Sequence, residues 1–195
     1  MTRIRLTQSL LSAYLWIFQK DSGYEEFLSA LNREKTPPTQ AMLDGIRFEN
    51  CLNGVLNGEE IPTDHEWYSV VTEMAGELQG SQQQVVLYKD IEVDGQPLLL
   101  HGVLDYLVAG HIYDCKFSKN YHLNKYLNSP QTPMYLALVP EAKDFTYIVS
   151  DGKWVYREKY PRDIVPPIEI TIRYFLAYLK RQGLFEIFKE KWRAD

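Results

Sequence analysis

Residues 113–118, YDCKFS, place an aspartate and a lysine two positions apart, with a cysteine between them, in a stretch whose hydrophobic pattern calls for burial. Just upstream runs HGVLDYLV (101–108), and Ala109 and Gly110 join the two segments. If those two residues form the loop of a tight hairpin, Val108 pairs with His111, Leu107 with Ile112 and Tyr106 with Tyr113, and Asp105 falls opposite Asp114. Side chains alternate faces along a strand, so Asp114 and Lys116 point one way while Cys115 points into the other layer. One extra loop residue would move Asp105 off Asp114, so the reading hangs on that turn.

Working outward, QQVVLYKDIEV and QPLLLHGVLDYLV flank Asp94–Gly95, a second two-residue hairpin signal, and the three segments together predict an antiparallel meander. Towards the amino terminus, Thr7 is positioned to cap a helix with apolar residues at Leu10, Leu11, Tyr14, Leu15 and Phe18 that ends before Gly23. NREKTPPT (32–39) reads as a loop, and Thr39 caps a helix over about 40–56 whose core face carries Ala41, Gly45, Phe48, Leu52 and Val55. Glu49 borders that face. Residues 64–78 read as a further helix with Trp67, Val70, Val71 and Met74 on its buried side. Beyond the hairpin, a helix is expected from Pro130 or Pro133. Another hairpin turns at Asp151–Gly152, an amphipathic helix follows the VPP break, and a last short helix follows Gly183.

The bulk numbers bound the answer without choosing it. A chain of 195 residues can bury about 70% of its unfolded surface as one domain, spanning 1–195, without disulfides or structural metal. Cys51 and Cys115 sit in apolar patterns with no Cys-x-x-Cys spacing, which reads as two buried thiols in a reducing compartment. No run approaches the roughly 20 apolar residues of a membrane span, and the first 21 residues make a poor signal peptide, so a soluble cytoplasmic protein is expected. The formal charge of −5 argues mildly against a strong nucleic-acid binder, unless acidic residues such as Glu59, Glu60, Asp64 and Glu66 lie away from the groove.

Two bare carboxylates about 5 Å apart repel and need a compensating charge. Lys116 supplies part of it; a divalent cation would do so more completely. With Glu49 brought in from its helix, the ligands would be Glu49, Asp105, Asp114 and the backbone carbonyl of Cys115, with Lys116 alongside. That all-oxygen set favours Mg2+ or Mn2+ over zinc, and suits phosphodiester hydrolysis. The bland alternative is a solvated hairpin with cross-strand ion pairing. His101 shares the Asp105 face if the strand is regular, where it is expected to touch a substrate phosphate or else to be a half-exposed structural histidine, while Lys119 and Lys125, with Tyr121 and Tyr126, are placed to line the entry for a nucleic-acid strand.

In this arrangement the chain resembles the PD-(D/E)XK nuclease superfamily, in particular the branch of RecB-like and phage-type exonucleases. The resemblance rests on Gly45 and Glu49 in DGIRFENCL, Asp105 in HGVLDYL, Asp114 and Lys116 in YDCKFS, Gln131 and Tyr135 in PQTPMYLAL, and the opening SLLSAY with Ser9, Ser12 and Tyr14. It implies an α/β (α+β) restriction-endonuclease-like core, a central mixed sheet flanked by helices in the order α-β-β-β-α-β. It also implies a Mg2+- or Mn2+-dependent DNA nuclease, an exonuclease of recombination, repair or phage DNA processing. Gln131 would act beside the catalytic carboxylates, Tyr135 would meet substrate, and DNA, a second copy of the chain or a recombination protein would be the partners. Phe48 stands where several relatives have a histidine, and two cysteines cannot hold the four-cysteine iron–sulfur cluster of others. The competing expectation is a catalytically silent nuclease-like module that binds DNA or a protein.

Overall fold

Two turns organise the sheet. In the computed structural model, which describes residues 3–194, Asp94 and Gly95 have φ of 51° and 76° and join β2 (Gln82–Val93) to β3 (Gln96–Val108). Ala109 and Gly110, with φ of 51° and 81°, join β3 to β4 (His111–Phe117). Paired left-handed residues match the right-handed twist of the flanking strands, so both hairpins close tightly. The register follows the turn: Val108 pairs with His111, Leu107 with Ile112 and Tyr106 with Tyr113, and there the ladder stops, so the expected pair of Asp105 directly opposite Asp114 is not part of it.

From β4 the chain crosses through α5 (Gln131–Leu138) to β5 (Asp144–Ser150), which runs parallel to β4, and returns antiparallel as β6 (Val155–Pro161). The hairpin at Asp151–Gly152 is wider than a two-residue turn. Asp151 Oδ1 accepts from the amides of Lys153 and Trp154, both at 2.8 Å, and β6 therefore begins at Val155.

The amino-terminal region departs from expectation twice. Residues ahead of the Thr7 cap form β1 (Ile4–Thr7), which pairs in parallel with Leu98–His101 of β3. Thr7 still caps α1 (Gln8–Trp16), accepting from the Leu10 amide at 3.3 Å, but the helix ends early and a further helix, α2 (Gly23–Leu31), follows. A Cβ on Gly23 would stand 2.1 Å from the Trp16 carbonyl oxygen, so only glycine permits that tight return. Thr39 caps α3 (Gln40–Leu56) as expected, and α4 starts at Tyr68 (Tyr68–Leu78), later than the pattern suggested.

The result is a mixed six-stranded sheet flanked by helices, an α+β architecture. One face packs α1, α2, α5, α6 (Ile168–Arg181) and α7 (Phe185–Lys191) through Leu11, Phe27, Met134, Phe175 and Phe188. The other packs α3 and α4 through Phe48, Leu52, Val71 and Met74 onto Tyr106 and Ile148. Each such side chain, fully buried, contributes on the order of 1.5–3 kcal/mol of transfer free energy. Among the described residues no helix is long and apolar enough to cross a membrane.

Candidate functional site

The sheet forks at the site. β2 runs along one edge of β3 from end to end, whereas the other edge is shared: β1 takes it as far as His101 and β4 takes it from Tyr106. The four residues between, 102–105, have no strand partner on that edge. α5 fills the gap, because Gly102 lets Tyr135 and Leu138 approach closely and the Tyr135 hydroxyl donates to the Val103 carbonyl at 2.8 Å.

The strand also turns over here. Leu104 packs into the α5-side core with Val85, its β2 partner, yet Tyr106 packs into the α3–α4 side and its hydroxyl donates to Asn53 Oδ1 at 2.6 Å. Regular alternation would put these two on one face. The irregularity lies at Asp105 and the residue across from it, Gln84, whose φ of 50° is left-handed. Asp105 is thereby brought to the layer of Leu107, Ile112 and Asp114 instead of the outer face occupied by His101.

Asp114 is 2% exposed. Its Oδ1 accepts a short hydrogen bond from Gln131 Nε2, and Gln131 Oε1 in turn accepts from the Tyr147 hydroxyl at 3.5 Å. Asp114 Oδ2 lies 2.6 Å from Lys116 Nζ but receives no well-directed hydrogen bond. Burial, then the Asp114 charge, raise the Asp105 pKa to about 8, against the opposing pull of Lys116, so at neutral pH Asp105 keeps its proton. Burial disfavours the Lys116 ammonium, but Asp114 and Asp105 outweigh it and hold its pKa above the ordinary lysine value. Lys116 is thus a fixed cation suited to orienting an anion.

Lys116 and Gln131 form part of the wall of a cleft of about 880 Å3, with Ser9 and Ser12 of α1, Met42 of α3 and Lys125, Tyr126 and Ser129 of the segment before α5. The charged residues lining it are Lys116 and Lys125, both cationic, in a chain of net charge −5. Glu59, Glu60, Asp64 and Glu66 are not among its lining residues. The cleft therefore carries the sign a phosphate needs while the chain as a whole does not.

Other expected residues fall differently. Glu49 projects from α3 within electrostatic range of Asp105, but its Oε1 is engaged by Gln84 Nε2 at 3.4 Å. Among the described residues no three or more His, Cys, Asp or Glu side chains converge as an ion-holding group. The Cys115 side chain packs against the α3–α4 core, opposite Asp114. His101 does not share the Asp105 face, because the strand is not regular. It stacks on Tyr88 with centroids 4.7 Å apart, and burial, then Arg5, lower its pKa, which disfavours a cationic role. Tyr135 is buried, not substrate-facing; burial raises its pKa to about 12, so its hydroxyl remains the proton donor that completes the fork. Lys119 pairs with Asp44 of α3 at 2.7 Å, and Lys125 donates to Ser118 Oγ at 2.6 Å. Gln84 and Tyr147 were not legible beforehand, since nothing local marks either.

A mixed α+β sheet with two neighbouring carboxyls and a lysine at a fork is the class of site this chain presents. No protein-family model matches the chain, and no curated protein does. Among solved structures it is similar to the protein of the crystal structure SSO0001, with a TM-score of 0.53 at 15% identity, covering 94% of this chain and 78% of that one. At that identity the likeness is one of fold.

Proposed function

We propose that this chain is a Mg2+- or Mn2+-dependent DNA nuclease with a restriction-endonuclease-like core. The observation that carries the reading is the pairing of Asp105 with Asp114 beside Lys116, behind a cleft whose charged lining is cationic. The donor set suits a hard divalent ion: two carboxyls that repel when both ionised, and a buried oxygen, Asp114 Oδ2, without a hydrogen bond. Asp105 and Asp114 would hold the ion, which supplies Lewis acidity and an acidified water. Gln131 fixes the rotamer of Asp114, Lys116 orients and neutralises a phosphate oxygen, and Lys125 meets a neighbouring phosphate. Exonuclease action in recombination, repair or phage DNA processing is part of this reading.

The test incubates the purified chain with end-labelled linear and closed circular DNA, with and without Mn2+, beside Asp114→Ala and Lys116→Ala variants. Metal-dependent cutting lost in both variants supports the site; cutting that survives both removes it. Loss of linear but not circular DNA establishes the need for an end.

A second reading, a catalytically silent nuclease-like module for DNA or a protein partner, is favoured by one observation: Glu49 is turned to Gln84 and does not complete a three-donor group. Uptake of Mn2+ without cleavage of any DNA would support it.

A further inference from the structure

Glu158 of β6 is a buried carboxylate, 5% exposed, to which the chemistry above assigns no part. Among the described residues it forms no ion pair. Each of its oxygens accepts one hydrogen bond from a tyrosine: Oε1 from the Tyr121 hydroxyl at 2.7 Å and Oε2 from the Tyr160 hydroxyl at 2.6 Å. Taking a carboxylate out of water without a cation is costly, and two charge-assisted O–H donors offset that cost only while both stay in place.

The two donors differ in what they hold. Tyr160 lies two residues along the same strand. Tyr121 belongs to the irregular segment 118–130 between β4 and α5, which brings Lys125, Tyr126 and Ser129 to the cleft. The start of that segment is anchored by the Ser118 amide on the Ser150 carbonyl at 2.8 Å and by Lys119 on Asp44 of α3 at 2.7 Å. Beyond Tyr121 it has three turn hydrogen bonds, ending at the amides of Lys125, Leu127 and Ser129, the bond from Lys125 back to Ser118 Oγ, and the stacking of Tyr126 on Tyr147 at 4.7 Å. Tyr121 also packs against Tyr156, with centroids 4.5 Å apart.

We infer that Glu158 is a positioning residue that, through Tyr121, fastens the segment 118–130 as a wall of the cleft and so sets where Lys125 and Tyr126 meet substrate. As to substrate, this rests on the nuclease reading; as to the wall, it stands on the contacts alone.

The experiment is amide hydrogen exchange on the full chain, with KM and kcat on linear DNA in Mn2+. Tyr121→Phe and Glu158→Ala speed exchange at the amides of Lys125, Leu127 and Ser129 by about tenfold, the scale of one hydrogen bond to a charged group. They raise KM more than they lower kcat. Tyr160→Phe removes the other bond yet leaves those amides as in the parent, and Glu158→Gln, whose carbonyl still accepts from Tyr121, restores most of the protection. Equal effects of Tyr121→Phe and Tyr160→Phe on the segment, or none from either, overturn the inference. A parent chain that cuts no DNA removes the nuclease reading, while the exchange pattern still decides the role of Glu158.

Discussion

Leu104 and Asp105 are neighbours in β3, yet both serve the α5 side of the sheet, Leu104 in its core and Asp105 against Asp114. A strand keeps adjacent side chains on opposite faces, so this pair marks the point at which the backbone turns over. Irregular strand geometry beside a candidate site re-aims a side chain. Here it re-aims the carboxyl on which the proposed chemistry depends.

Gln84 bears part of the cost of that turnover through its left-handed φ of 50°. Gln84→Gly is expected to leave stability unchanged or raise it by up to about 1 kcal/mol, because glycine adopts this conformation freely. Gln84→Val should lower it by about 1–2 kcal/mol. Urea denaturation of both variants checks this; equal stabilities would mean position 84 carries no strain.

Asp105 makes stability depend on pH. Its folded pKa is raised from 3.8 to about 8, so between those values the unfolded chain releases a proton that the native chain keeps. The native state binds more protons there, and unfolding free energy falls as pH rises through the window. Asp105→Asn removes that slope. In chelator, the Tm of the variant relative to the parent should climb from about pH 5 to about pH 8; parallel profiles would contradict the raised pKa.

Metal binding, if the proposed site is correct, adds stability that Asp114 mediates. With free Mn2+ a hundredfold above Kd, linkage is worth about 2.7 kcal/mol, several degrees of Tm for a chain of this length. Asp114→Asn should abolish the shift. An equal shift in parent and variant would place the ion elsewhere.

Gln131 and Gly102 join α5 to the fork. Gln131→Leu leaves a buried oxygen of Asp114 without its donor, and an expected loss of about 1–3 kcal/mol is measurable by urea denaturation. Gly102→Ala would bring a Cβ to 2.6 Å from Tyr135 Cε1 and 2.8 Å from Leu138 Cδ1. It should cost about 1–3 kcal/mol through overpacking, and lower any metal-dependent activity because α5 also carries Gln131. A Gly102→Ala chain as stable as the parent would mean that α5 yields without strain.

The local features were legible from the chain alone. The Asp-Gly and Ala-Gly turns, the Thr7 and Thr39 caps, and the placement of Asp114 with Lys116 across from Cys115 all follow from steric and hydrogen-bonding rules that act within a few residues. The hairpin register followed in turn for the three pairs next to the loop, because a two-residue loop leaves no slack, but not for Asp105 and Asp114 beyond them. What tertiary structure alone decided lies between distant residues: the turnover at Asp105, Tyr135 filling the gap at Val103, Gln84 drawing off Glu49, and β1 sharing an edge with β4. These contacts arise where a forked sheet meets a particular helix, and whether a strand alternates or turns over is set by what packs on each side of it, which local pattern does not encode.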